Sequence, residues 1–500
     1  MTEVSDLVLP LDPRGPESLH HQLYQGLREA ITSGRLVPGA RVPSTRRLAE
    51  TLGVSRSTVL VAFDQLVAEG YLVGAVGSGS YVAPQLPDHL VLVPQDRPTG
   101  AEASGPPRLS LRGQQLGLIR PRSTVPYPRA FWAGIPPVDD FPRALWSRLA
   151  ARRYRNLSHL DLYHGPASGY APLREAIAAH LAAARGVRAT ARQVVVLASA
   201  QEAMELACRV LLDPGDAAWI EDPSWSGARG ALAAAGARIV PVPVDADGLM
   251  VARGLTLEPD ARVVYVSPSH QYPAGATLSL DRRLALLDWA RRQSAWILED
   301  DYDSEFQFSG RPITALQGLD TASRVLYVGT FNKTVFPSLR LAYLILPESL
   351  VESFLAVRGI AGQHSPTIDQ AILTDFLVDG HYARHLRRMR MICRERRDVL
   401  VRAAERTAAD LLQIVPTDGG LHAIAWLESG LDDAVASAAA ARAGVQAEAL
   451  SSYYAGSSSR PGLVLGYAGF GPHQINGAMQ QLADALRRLP VDRGDVSVAR

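Results

Sequence analysis

One lysine, Lys333, stands in a chain of 500 residues whose Lys+Arg total is 51. On the order of tens would be ordinary at this length. Heavy Ala, Arg, Gly (41) and Pro (34) usage marks a GC-rich coding bias, which trades lysine for arginine wherever a fixed positive charge is enough. Arginine cannot serve where chemistry needs a neutral amine, because its guanidinium stays protonated. The surviving lysine is therefore a candidate Schiff-base or general-base group. It lies in 326-LYVGTFNKTVFPSLRLAYLILP-347, in a polar turn after an apolar strand, with Arg340 seven residues on. Thirty-three residues upstream of it a second apolar strand ends in EDDYDSEF. Ligands in open α/β sheets bind beyond the carboxyl ends of the strands, so Asp300 and Lys333 converge at one mouth.

A carboxylate facing a Schiff-base lysine is what pyridoxal 5'-phosphate requires: the acid keeps the pyridine nitrogen protonated and the lysine holds the aldehyde as an imine. Further residues complete such a cradle. Ser199, Ala200 and Gln201 open an Ala-rich helix whose exposed N–H groups suit a dianionic phosphate. Arg340 suits the same phosphate as a bidentate clamp. Trp225, in 221-EDPSWSGAR-229, is placed to cover the ring, and Tyr302 to reach the ring hydroxyl; Thr330 and Tyr272 complete the set of expected cofactor contacts. Taken singly, a capped helix start is usually only a helix start and such a tryptophan is usually core. The weight lies in their order and spacing around the one lysine.

The elements that must position these groups follow from the pattern. Short apolar runs, 194-VVVLA-198, 217-AAWIED-222, 262-RVVYVSP-268, 295-AWILEDD-301 and 324-RVLYVGT-330, alternate with helical stretches and read as buried parallel strands. Nine prolines between residues 84 and 128 mark a linker, 84–126, semi-rigid where they cluster. Before it, residues 14–83 hold three helical patterns and a hairpin. Leu19, Leu23, Leu27 and Ile31 share one face of the first helix. Ser44 is a natural N-cap and Gly53 a natural stop for the second. The third, 56-RSTVLVAFDQLVAEG-70, turns Val59, Phe63, Leu66 and Val67 inward, and YLVGAVGSGSYV supplies a wing. Two short helices joined by a tight Gly-containing turn make a helix-turn-helix.

Charge locates its partner. The chain is +1 overall, which argues against a uniformly basic nucleic-acid binder, yet residues 35–56 carry five arginines against the single acid Glu50. Ser44, Arg46, Arg56, Ser57 and Thr58 are expected DNA contacts, Arg56 having the fork that reads guanine. Gly77 and Ser78 let the wing approach phosphates. Two cysteines exclude a disulfide framework or zinc cluster. The first residues lack a signal pattern and no apolar run approaches a membrane span, so a cytoplasmic protein is expected.

The segment VPSTRRLAETLGVSRSTVLVAFDQLVAEGYLVGAVGSGSYV resembles the winged helix of GntR-type regulators. Residues 127–490 resemble fold-type I aminotransferases through YHGPASGYAPLREAIAAHL, ASAQEAMELA, EDPSWSGAR, SPSHQYPAGATLS, ILEDDYDSEF and GTFNKTVFPSLRLAYL. Joined, they resemble the MocR family of pyridoxal phosphate-dependent bacterial transcriptional regulators. That resemblance implies a multi-domain chain, a mostly α winged helix plus an α/β domain with a mixed, mostly parallel sheet. It implies an internal aldimine at Lys333, Asp300 on the pyridine nitrogen, and a head-to-tail, domain-swapped homodimer that binds promoter DNA and senses pyridoxal phosphate or an amino effector. The aminotransferase-like domain is then a sensor with residual transaldimination or half-transamination at most. A working aminotransferase with a fused winged helix is the alternative.

Departures from the pattern carry information. Tyr272-Pro273-Ala274-Gly275 stands where aminotransferases usually have Asn-Pro-x-Gly, and Asn332 precedes the lysine where Ser is commoner. Val464 occupies the place of the usual carboxylate-binding arginine, leaving Arg460 as the substitute for an effector carboxylate. His381 and His385 have an i, i+4 spacing, but the arginines around them repel a cation, and no metal site is expected.

Overall fold

The structure, a computed structural model, describes residues 9–75, 79–87, 109–119, 127–308, 313–362, 364–428, 430–456 and 460–490. The chain divides into two compact units, 1–108 and 109–500. In the first, α1 (Leu19–Thr32), β1 (Arg41–Val42), α2 (Thr45–Leu52), α3 (Arg56–Ala68), β2 (Leu72–Ala75) and β3 (Gly79–Val82) follow in order. The Ser44 hydroxyl accepts from the Arg47 N–H at 3.3 Å and caps α2, which Gly53 ends at φ +66°. Ser55 repeats the device, accepting from the Thr58 N–H at 3.1 Å, so α3 starts three residues after Gly53. Leu23, Leu27 and Ile31 of α1 pack on Val59, Ala62, Phe63 and Leu66 of α3 in one core. Val67, expected inside, is 46% exposed. The inward stripe runs i, i+3, i+4, i+7 from Val59, and Val67 falls one position past it. The strands pair antiparallel in the order β1-β3-β2; Gly77 and Ser78, expected to approach phosphates, lie outside the described residues.

The second unit opens on α4 (Leu111–Leu118), α5 (Arg143–Arg155) and α6 (Ala171–Arg185). Helix α4 lies inside the stretch read as linker. Between Pro107 and Pro121 no proline interrupts it, and the Ser110 hydroxyl caps it by accepting from the Gly113 N–H at 3.0 Å. Then come β4 (Val194–Leu197), α7 (Ala200–Leu211), β5 (Ala217–Asp222), α8 (Ser226–Ala235), β6 (Arg238–Asp245), β7 (Gly248–Leu249), α9 (Val251–Leu257) and β8 (Val263–Val266). Next are α10 (Leu280–Gln293), β9 (Trp296–Asp301), α11 (Leu316–Leu319), β10 (Val325–Thr330), β11 (Ala342–Ile345), α12 (Val351–Ala361) and α13 (Thr367–Val378). These strands form one sheet in the order β4-β11-β10-β9-β8-β5-β6-β7.

Strands β10, β9, β8, β5 and β6 pair in parallel; the first four are apolar runs expected as parallel strands, whereas β6, interrupted by Pro241 and Pro243, is not among those runs. Strand β4 runs the same way but is separated from β10 by β11, which is antiparallel to both. That insertion turns the Lys333 segment into the connection of an antiparallel pair, tethered at both ends. Helix α14 (His381–Thr407) leads to a smaller antiparallel sheet, β12 (Leu412–Ile414), β13 (His422–Leu427), β14 (Glu448–Ala449) and β15 (Gly462–Gly466), in the order β12-β13-β15-β14. It packs with α14, α15 (Asp433–Arg442) and α16 (Pro472–Arg487) around a separate apolar cluster. Among the described residues no helix is long and apolar enough to cross a membrane.

Removing the α3 cap, Ser55→Ala, is expected to destabilise that helix by about 1 kcal/mol. Hydrogen exchange of the 56–68 amides reads this locally; unchanged protection would show that packing alone fixes the start of α3.

Candidate functional site

Strand alternation decides which acid enters the site. Leu298 of β9 faces the core built with α7, α8 and α12, and Ile297 faces the opposite one. Asp300, two residues beyond Leu298, therefore lies on the α7 side, and Asp301 faces away. The Asp300 side chain is 5% exposed. Its Oδ2 accepts from the Tyr265 hydroxyl at 2.7 Å, whereas its Oδ1 is buried without a hydrogen-bond partner. Burial raises its pKa to about 7; the Tyr265 bond opposes this, Asp301 and Asp303 add to it, and the charge of Lys333 lowers it.

Lys333 is held on both flanks. Its ammonium donates to the Gly134 carbonyl at 2.7 Å. The Asn332 N–H donates to Thr330 Oγ1 at 3.1 Å, and Asn332 Oδ1 accepts from the Leu341 N–H at 3.2 Å, closing the loop on itself. Behind it, Tyr382 donates to Thr334 Oγ1 at 3.0 Å and His385 Nε2 lies 2.8 Å from the Thr334 carbonyl. His385 thus buttresses the lysine loop. Arg340 ends the same loop, exposed, at φ +50°.

At the start of α7 the Ser199 hydroxyl accepts from the Glu202 N–H at 3.1 Å, and Glu202 accepts from the Ala198 N–H at 2.7 Å. The N–H groups of Ala200 and Gln201 belong to the first turn, which has no intrahelical acceptors. Gln201 donates to the Gly227 carbonyl at 3.1 Å, tying α7 to α8. Trp225 precedes α8, half-buried. A Cβ at Gly227 would collide with both Trp225 and Gln201, so glycine is what lets the indole lie there.

Tyr302 and Tyr272 meet edge to face at 5.8 Å. The Tyr272 hydroxyl is 3.1 Å from that of Tyr453, which donates to Glu448. Val464 is fully buried in this cluster with Ala133, Ile424 and Leu450. Arg460 is exposed with its guanidinium 4.7 Å from the Trp426 ring centre. The cluster around Val464 is aromatic and aliphatic. Sequence reasoning missed Tyr265, which reads as one more apolar strand residue, and His270, whose Nδ1 lies 2.9 Å from the Tyr302 hydroxyl.

In the first unit Arg56 is exposed at the first position of α3. The Ser57 and Thr58 hydroxyls both contact Ser55 Oγ, at 2.7 and 2.8 Å, so they shape the helix start. Arg46 pairs with Glu50 at 3.2 Å, both largely exposed; such a pair holds weakly and exchanges readily.

Residues 19–82 match the family described as bacterial regulatory proteins of the gntR family, and residues 148–463 match aminotransferase class I and II. The rhizobial protein named "Probable rhizopine catabolism regulatory protein MocR" (Rhizobium meliloti) is 40% identical over 97% of this chain and 98% of its own length. The chain belongs to the MocR family. Other relatives of this MocR-family chain agree. The HTH-type transcriptional regulator TauR of Rhodobacter capsulatus is 36% identical, covering 95% of this chain and 98% of its own. The pyridoxine biosynthesis transcriptional regulator PdxR of Corynebacterium glutamicum is 32% identical, covering 97% and 99%. Among solved structures, LysN, the α-aminoadipate aminotransferase of Thermus thermophilus complexed with N-(5'-phosphopyridoxyl)-L-leucine, matches with TM-score 0.66 and 26% identity. The match covers 72% of this chain and 92% of that one.

An acid held up to about 7 contributes stability below its ordinary range, and that contribution is lost as pH rises towards 7, where the unfolded chain has already released its proton. Asp300→Asn is therefore expected to stabilise the cofactor-free protein increasingly from pH 4 to 8, reaching on the order of a few kcal/mol. Melting temperatures of both proteins across that range test it; a constant difference would place the charge of Asp300 in water.

Proposed function

We propose that this chain is a transcriptional regulator that binds promoter DNA through its winged helix and senses pyridoxal 5'-phosphate, or an amino compound reacting with it, through the aminotransferase-like unit. The observation that carries the cofactor reading is the unpartnered, buried Oδ1 of Asp300 near the chain's one lysine. A protonated pyridine nitrogen supplies the missing donor, and its charge relieves the cost of burying the acid. Lys333 would hold the aldehyde carbon, and the first-turn N–H groups of Ala200 and Gln201, with Ser199 and Arg340, would hold the phosphate. Trp225 would cover one ring face. Tyr302 would face the ring oxygen, with Tyr272 packed against it and Thr330 setting the lysine loop. When bound, the cofactor supplies a reversible covalent trap for primary amines and an electron sink.

The protein's own groups favour sensing over turnover. Val464, buried among apolar side chains, carries no charge where aminotransferases are expected to place their carboxylate-binding arginine, and the Arg460 guanidinium lies against Trp426. At that position an α-amino acid carboxylate would lack the bidentate partner that orients it through successive proton transfers. On the DNA side, Arg56 suits a guanine edge and Arg46 can exchange Glu50 for a phosphate. Leu60 and Val61, 47% and 48% exposed on α3, suit thymine methyl groups. Ser44, Ser57 and Thr58 act by fixing the helix starts that present these side chains. A homodimer matches the symmetry of a two-half-site operator.

Lys333→Ala is expected to abolish the visible absorbance of the protein mixed with pyridoxal phosphate, and borohydride reduction to fix the label on the peptide carrying Lys333. A persistent band, or a label elsewhere, would remove the lysine from this role. Steady conversion of amino and keto acids over many turnovers, with no promoter preference, would favour the aminotransferase reading. Arg56→Ala should cost about 1–3 kcal/mol at one base position of the operator; a uniform loss on all sequences would make it a phosphate contact.

A further inference from the structure

Tyr302 presents its oxygen to a group that the cofactor reading leaves unused. His270 is 9% exposed, and its Nδ1 lies 2.9 Å from Tyr302 Oη and 3.0 and 3.2 Å from the two oxygens of Asp303. An ionised carboxylate only accepts hydrogen bonds, so Asp303 fixes the proton on Nδ1. That single N–H faces both the carboxylate and the phenol oxygen. Tyr302 is then an acceptor on the His270 side, and its own hydrogen is turned away from the imidazole.

The other ring nitrogen is stranded. His270 Nε2 is buried with no hydrogen-bond partner. The ring borders a cavity of about 70 Å³ lined by polar groups including Arg185, Ser269, Thr277, Gln307 and Thr417. Such a lining suits water. Gly275 and Gly420 leave the room: a Cβ at Gly275 would stand 3.3 Å from Nε2, and one at Gly420 would strike the ring. Both are at positive φ, +78° and +88°.

The charged and titratable groups facing His270 come from several elements. Asp303 and Tyr302 follow β9, and Arg185, from the end of α6, lines the same cavity but is paired with Asp301 at 2.8 Å. Asp418 lies on the loop before β13, and the His422 ring is 5.4 Å away, its Nε2 at 3.1 Å from the Pro273 carbonyl. Burial works against a charged His270, and the attraction of Asp303 overcomes it, raising its pKa.

We propose that His270 is a positioning residue for the cofactor site: clamped by Asp303, it turns the Tyr302 hydroxyl hydrogen toward the Asp300 and Lys333 side, and Nε2, exchanging protons with the cavity, sets how strongly Tyr302 donates. This rests on the reading that Lys333 holds pyridoxal phosphate. A protonated His270 draws on the Tyr302 oxygen and makes its O–H a stronger donor to an anionic ring oxygen. Weakening that donor leaves the ring oxygen more basic, so protonation of the chromophore persists to higher pH.

The test is a spectrophotometric pH titration of the full-length protein loaded with pyridoxal phosphate. His270→Phe and Tyr302→Phe should each move the midpoint of the visible band upward, His270→Phe by about half a pH unit, roughly threefold in proton affinity. In the Tyr302→Phe background, His270→Phe should add nothing, an outcome a merely structural histidine would not give. His270→Asn, which places an N–H where Nδ1 lies but cannot take up a proton, should bring the midpoint only part of the way back to the wild-type value, whereas His270→Gln should leave it displaced as in His270→Phe; this pair decides the matter even where the Phe variant does not fold. An unchanged midpoint in His270→Phe, or shifts that add in the double variant, would overturn the proposal while leaving the cofactor reading intact. A wild-type protein with no visible band would overturn that reading, and the role of His270 with it.

Discussion

The cost of burying carboxylates shapes the site. Glu299, Asp300, Asp301 and Asp303 are all buried within five residues at the carboxyl end of β9. Each has its own remedy. Glu299 accepts from the Leu316 and Gln317 N–H groups at 2.7 and 2.8 Å. Asp301 takes Arg185 at 2.8 Å and the Tyr327 hydroxyl, and Asp303 takes His270. Asp300 and Asp301 each keep one oxygen without a partner, but Asp301 has a guanidinium on the other. Asp300 has only a phenol there. A buried acid so weakly compensated is poised either to hold a proton or to receive a cationic ligand. Placing that deficit in the cleft, and the guanidinium of Arg185 on the opposite face, is what strand alternation accomplishes.

Much of this was legible because composition and local chemistry left marks along the chain. A single lysine among arginines, capped helix starts at Ser44 and Ser199, and apolar runs ending in acids are all local signals. The strands of the parallel core and the helix-turn-helix followed from them. What escaped detection depends on register and crossing. Tyr265 reaches Asp300 from a neighbouring strand, and nothing within VVYV distinguishes that phenol from core. His270 gains its meaning only when the loop after β8 folds it against Tyr302 and Asp303. Strand β11 hides in an apolar run that follows the lysine loop, and its antiparallel insertion is a matter of sheet order. Helix α4 hid because the prolines around it dominated the composition of the whole stretch.

The arginines explain why the lysine could be left alone. Arg283 is buried and its guanidinium donates to the carbonyls of Leu278, Thr314 and Pro268 at 2.8, 2.9 and 2.7 Å, three acceptors around one planar donor. Arg358 similarly ties Ala167 and Ser365 together. A lysine in either place would surrender its proton more readily on burial and lacks the planar fork that spans these acceptors. Coding bias toward arginine thus meets little resistance in the scaffold, where a planar, permanently charged donor is the better part. At position 333 the same permanence is disqualifying, because a covalent bond to an aldehyde needs a nitrogen lone pair. Composition drift and chemical necessity pull in opposite directions at that residue alone, which is why one lysine among 500 residues marks the site so clearly.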